Sequence, residues 1–157
     1  MSAPGKVLKY LAVAAVLQLS ACGGPEEAPE AQIRALVARA EQGAEDHEIS
    51  VFREAVSIDY RDNHGYDRRS VLRLVQGMLL RNRNIHLLSL VRDLQVNGEE
   101  ARARVLVAMA GRPIESADAL LDLRADLFRF DVDLARDGDQ WRVRSVDWNR
   151  AQASDFL

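Results

Sequence analysis

Ala101-Arg102-Ala103-Arg104-Val105-Leu106-Val107-Ala108-Met109, entered through Asn97-Gly98, decides the fold class. Positions 101, 103, 105, 107 and 109 place only apolar side chains on one face. Arg102 and Arg104 stand on the other, beside Leu106 and Ala108, which is the two-residue period of a strand. Asn-Gly is a strong hairpin signal, so the segment before it, with Leu88, Leu90, Leu94 and Val96 at one parity, is expected to pair antiparallel with this strand.

Downstream, Phe128, Phe130, Val132 and Leu134 alternate strictly with Arg129, Asp131 and Asp133, and Asp137-Gly138-Asp139 turns the chain into a last strand. In that strand the apolar parity changes from Trp141 and Val143 to Val146 and Trp148, which predicts a β-bulge or bend. Between the strands a loop runs through Gly111, Pro113 and Ser116. Residues 117–125 fit either a helical turn or the start of a strand.

Upstream the period is helical. Ile33, Leu36, Val37, Ala40 and Ala44 form an apolar stripe from Pro29 onward, and Ile49, Phe52 and Val56 form a shorter one. Ser57-Ile58-Asp59-Tyr60-Arg61-Asp62 alternates as a short strand would and stops at the turn Asn63-His64-Gly65. Asp67 is placed to cap a third helix that runs to about Arg81 and buries Val71, Leu72, Val75, Met78 and Leu79. Helices first and hairpin strands afterwards give an α+β domain, with N-terminal helices packed on a strongly curved antiparallel sheet.

The order of elements, Asp59-Tyr60-Arg61-Asp62 and Gly65-Tyr66-Asp67 before the third helix, Gly98 before an alternating strand, and Trp141-Arg142-Val143 with Trp148 at the end carry a resemblance. Over residues 30–150 the chain resembles the nuclear transport factor 2-like family, which includes the SnoaL-like and ketosteroid-isomerase-like proteins, with its cystatin-like cone fold. The resemblance implies helices closing over a concave sheet, and, in the enzymes of the family, an Asp, His or Tyr inside the cone acting as acid, base or oxyanion donor.

The 157 residues suffice for one domain with a core, and a formal charge of −3 gives no electrostatic reason to expect nucleic acid. One cysteine excludes a disulfide framework and a Cys-rich zinc site. That cysteine ends a segment of another kind. Lys6 and Lys9 precede the apolar run Leu11 to Leu17, too short to span a bilayer, and Leu19-Ser20-Ala21-Cys22 follows.

Leu-Ser-Ala-Cys resembles the lipobox of bacterial lipoproteins. The resemblance implies a signal peptide over residues 1–21, acylation of Cys22, and a tether over 22–29 containing Pro25 and Pro29. Gly23 stands where lipoproteins kept at the inner membrane commonly carry Asp, so the expected address is the periplasmic face of the outer membrane. Cleavage would remove the only two lysines and take the charge from −3 to −5. Attachment is therefore expected to rest on acyl chains and not on a polybasic patch. Residues 151–157 are left as a tail.

Candidate pocket groups are few. Tyr60 and Asp62 form either a ligand-binding pair or a tie on the turn before the third helix. His86 is the one histidine expected in a strand and serves either as a base or as a structural residue. Trp148 would stack on a flat ligand or fill core. His47 and His64 lie in polar segments without a second ligand at metal spacing, and no metal or cofactor is expected. Residues such as Ala103, Val105, Phe130 and Val132 look like a hydrocarbon lining with no acid or base. Arg102, Arg104, Arg129, Asp131, Asp133, Arg142 and Arg144 project from the opposite face and are expected to pair across strands.

The composite expectation is a lipid-anchored, non-catalytic domain that binds a small apolar ligand or a cell-envelope protein. A polar homodimer through the charged sheet face remains open. The alternative is an isomerase or dehydratase using His86 with Asp62 or Tyr60.

Overall fold

The computed structural model describes residues 27–121 and 124–157. The segment expected to be a signal peptide, Cys22 and most of the expected tether lie outside these residues. Three helices, α1 (Pro29–Glu45), α2 (Ile49–Ala55) and α3 (Arg68–Arg81), precede four strands, β1 (His86–Asn97), β2 (Glu100–Ala110), β3 (Asp126–Asp137) and β4 (Gln140–Arg150). The strands form one curved antiparallel sheet in the order β1-β2-β3-β4. Two single turns of 3-10 helix, at Asp118–Leu121 and Ala153–Phe156, complete the chain.

Local chemistry sets the boundaries. Pro29 opens α1, where its missing N–H is no loss. The Asp67 carboxylate accepts the Ser70 N–H at 2.8 Å while Ser70 Oγ accepts the Asp67 N–H at 2.9 Å, a reciprocal cap on α3. Gly98 and Gly138 each have positive φ as the first of two loop residues, the II′ pattern suited to strand twist. A Cβ on Gly43 would lie 2.9 Å from Val51 Cβ, so this glycine lets α1 and α2 approach.

The segment 57–62 does not form the expected strand. It touches β4 through Ser57 N–H to Val143 C=O at 2.9 Å and Arg61 N–H to Arg144 C=O at 3.0 Å, and between these the chain turns. On the opposite edge of the sheet, carboxylates of α1 accept N–H groups of β1: Glu45 from Leu87 at 2.8 Å and Glu41 from Ser89 at 2.7 Å. Arg34 donates to the Val91 carbonyl.

Two bulges decide which side chains face the helices. The one expected in β4 is present, with Arg144 as the extra residue between Val143, opposite Leu134, and Ser145, opposite Asp133. A second, unexpected bulge occupies Arg92-Asp93 of β1 opposite Arg104. It splits the four residues assigned to one face: Leu94 and Val96 join the core under the helices, whereas Leu88 and Leu90 lie on the outer face.

The inner core gathers Ile33, Leu36, Ala55, Ala103, Val105, Leu134 and Trp141. The buried Trp141 Nε1 has no hydrogen-bond partner among the described residues. The outer face carries a second apolar cluster, Leu106, Ala108, Leu120 and Phe156. Residues 151–157, set apart above as a tail, therefore belong to the fold, because Phe156 is 2% exposed against the sheet. Of the residues assigned to the buried stripe of α3, only Leu79 is fully buried.

Candidate functional site

The turn between α2 and α3 brings Tyr60 and Asp62 together. Tyr60, 2% exposed, donates its hydroxyl proton to Asp62 at 2.7 Å. The other carboxylate oxygen of Asp62 accepts the N–H groups of His64 and Tyr66, both at 2.9 Å. Asp62 thus has three donors, and Gly65, with φ +84°, reverses the chain among them. Burial first, and then the Asp62 carboxylate, hold the Tyr60 phenol well above its ordinary pKa. It stays neutral and committed as a donor, so this pair ties the turn.

Beside it stands a group that the sequence reading set aside. His64 Nε2 lies 3.0 Å from an Asp147 carboxylate oxygen, and its ring stacks on Trp148 with centroids 3.9 Å apart. Tyr66 stacks on the same indole at 6.0 Å. One face of Trp148 is therefore taken by a histidine. His64 sits in the turn Asn63-His64-Gly65 and Asp147 is 83 residues away, so neither position marks the pair in the sequence.

His86 does not join this group. It begins β1, with Nδ1 3.8 Å from Glu45, on the far edge of the sheet from β4. Three strand spacings, about 14 Å, separate those edges. The combination of His86 with Asp62 or Tyr60 is not assembled. His47, the other histidine set aside, bridges the Glu45 and Asn82 carbonyl oxygens at 3.0 and 2.9 Å and links the end of α1 to the end of α3.

The concavity lies elsewhere. Between the C-terminal end of α3 and the sheet, Met78, Ile85, Met109 and Phe128 line an opening of about 620 Å³. Asn82, Asn84, Arg124 and Asp126 stand around them. Apolar and polar groups share the lining of this wide opening, whose volume is in the size range of small-molecule sites. Phe128 also carries the Arg150 guanidinium 5.0 Å from its ring centroid, and Arg150 is paired with Asp126 at 2.6 Å. No single residue of this lining announces itself in the sequence, because Met78 and Met109 read there as ordinary core positions. A second groove of about 570 Å³ runs between α2 and α3, lined by arginines and by Ile58, Tyr60 and Leu72.

No family model matches the chain, and no curated protein matches it by sequence. Solved structures do match. A scytalone dehydratase-like protein from Novosphingobium aromaticivorans superposes with TM-score 0.64 at 12% identity, over 78% of this chain and 84% of the other. A protein of unknown function with a cystatin-like fold from Nostoc punctiforme gives TM-score 0.62 at 14% identity, over 78% and 90%. A Bdellovibrio bacteriovorus structure gives 0.61 at 11% identity over 76% of this chain, which spans 40% of that longer protein. Identity at this level shows architecture and no more. The chain carries the nuclear transport factor 2-like, cystatin-like cone fold.

Proposed function

We propose that this chain is a lipid-anchored, non-catalytic domain of the cell envelope that holds a small apolar molecule in the mouth of its cone. The observation that carries the reading is the apolar opening beside Met78, Ile85, Met109 and Phe128. Its rim amides suit orientation of a ligand more than proton transfer, while Tyr60 and Asp62 are occupied with each other and with the turn. The anchor rests on the sequence Leu19-Ser20-Ala21-Cys22, and the outer-membrane address on Gly23.

Binding is tested by mass spectrometry of small molecules extracted with the protein purified from its own membrane, and by titration with the apolar dye N-phenyl-1-naphthylamine. Met109→Trp, which fills the opening, should weaken dye binding at least about tenfold, equivalent to about 1.4 kcal/mol. Dye binding that is unchanged by this substitution overturns the assignment of the site. Cys22→Ser should abolish incorporation of labelled palmitate and leave an unprocessed precursor. Gly23→Asp should move the protein toward the inner membrane.

One observation favours the isomerase or dehydratase reading in a different form, with His64 backed by Asp147 as its acid–base pair. Under the reading preferred here, His64→Ala leaves dye and ligand binding intact. Turnover of a co-purified ligand that His64→Ala abolishes would establish the enzyme instead.

A further inference from the structure

Charge is distributed unevenly over this domain. Between Asp67 and Asp93 the chain carries six arginines and no acidic residue, and α3 lies inside that interval. The outward side of α3 presents Arg69, Arg73, Gln76 and Leu80 at spacings of four, three and four residues, which is one helical stripe, with Leu74 and Arg81 beside it. None of Arg69, Arg73 and Arg81 forms an ion pair among the described residues.

Apolar exposure is concentrated in the same place. Among the described residues, the exposed large apolar ones are Ile58 at 75%, Leu80 at 72%, Leu157 at 63% and Leu74 at 40%. Leu74 and Leu80 belong to α3, and Ile58 lines the groove between α2 and α3 together with Arg53, Arg69 and Arg73. Asp59 and Asp67 also line that groove, but Asp67 is engaged in capping the helix. Exposed apolar side chains set among arginines can meet an anionic bilayer together, the cations pairing with phosphates and the apolar side chains entering the headgroup layer.

We infer that the outward side of α3, with the Ile58 turn, docks on the surface of a bilayer containing anionic phospholipid. The arginines supply the charge complement to the headgroups, and Ile58, Leu74 and Leu80 supply the apolar contact. This goes beyond the acyl anchor. Counting the charge of the whole chain conceals it, because a negative total coexists with a face on which arginines outnumber the two acids, Asp59 and Asp67. Docking would also fix which way the cone mouth points, since α3 contributes Met78 to that opening.

The test is hydroxyl-radical footprinting of the full-length protein with vesicles of phosphatidylcholine alone or of phosphatidylcholine mixed with phosphatidylglycerol. Oxidation of Ile58 and Leu80 should fall several-fold with the mixed vesicles only, and return in high salt as the charges are screened. Leu157, exposed on the other side of the molecule, should be oxidised equally in all conditions. The docked population should drop at least about fivefold for each arginine reversed in Arg69→Glu and Arg73→Glu, while Arg102→Glu on the sheet leaves the protection of Ile58 and Leu80 unchanged. Equal protection by both vesicle types, or none, overturns the inference. Protection that rises with protein concentration without vesicles would identify a second copy as the occupant and overturn it as well. The anchor fails separately, by loss of flotation with phosphatidylcholine vesicles.

Discussion

The outer face of the sheet and the outward face of α3 use the same residue in opposite ways. On the sheet, Arg102 meets Asp133 at 3.0 Å, and Arg104 meets Asp131 at 3.0 Å and Asp93 at 2.7 Å, the last because the Arg92-Asp93 bulge lies opposite Arg104. On α3, Arg69 and Arg73 meet no acid in an ion pair among the described residues. Burial follows the same division. The sheet's outer side is sealed by Phe156 and Leu120, whereas α3 has Leu79 as its one fully buried residue. Compensated charge over a packed layer makes a surface built to remain inert. Arginines held in no ion pair over a half-buried helix make one available for contact.

The comparison breaks most easily at Phe156. If the outer layer is a true core, Phe156→Ala should cost about 3–5 kcal/mol, read as a lower urea midpoint. An unchanged midpoint would return residues 151–157 to the status of a tail. On the helix side, Leu79→Ala should cost about 2–3 kcal/mol and Val75→Ala, at a half-buried position, clearly less. Equal losses would show that α3 is packed as firmly as the outer layer.

A smaller effect is expected at the turn. Tyr60→Phe leaves one oxygen of Asp62 without its donor and should cost about 1–2 kcal/mol. The same contact sets an alkaline limit. Because the fold raises the Tyr60 pKa above the ordinary value of 10.0, its contribution is complete below that pH and is lost as pH climbs through the raised value. Denaturation followed against pH should show this loss in the wild type and not in Tyr60→Phe. The smallest difference sharpens the charge comparison itself. Arg102→Ala should lose about 0.2–1 kcal/mol, declining with salt, while Arg73→Ala should stay within about 0.5 kcal/mol of wild type.

Where structure is set by neighbouring residues, the sequence announces it. The cap at Asp67, the glycine turns at Gly98 and Gly138 and the bulge at Arg144 all have local chemistry or a visible change of apolar parity. The bulge at Arg92-Asp93 has no such sign, because β1 is apolar on both faces and a shift of register leaves the pattern unaltered. The strand expected over 57–62 fails because side chains compete with the ladder: Ser57 Oγ accepts the Asp59 N–H at 3.2 Å, and Asp62 gathers the turn. The site was legible only in part. Tyr60 and Asp62 are two residues apart and interact, but His64 finds Asp147 across 83 residues, and the cone mouth is assembled from α3, two strands and two loops.

The carboxylates of Glu41 and Glu45 have a consequence beyond the stability of β1. At positions 87 and 89 they occupy the amides that a foreign strand would need, and Arg34 takes the carbonyl of Val91. On the other margin, Ser57 and Arg61 occupy β4. Growth by strand addition, the common route to aggregates, is therefore obstructed along the first half of β1 and the first half of β4. A strand adding at these stretches would first have to displace a side chain or a turn that already holds the backbone group.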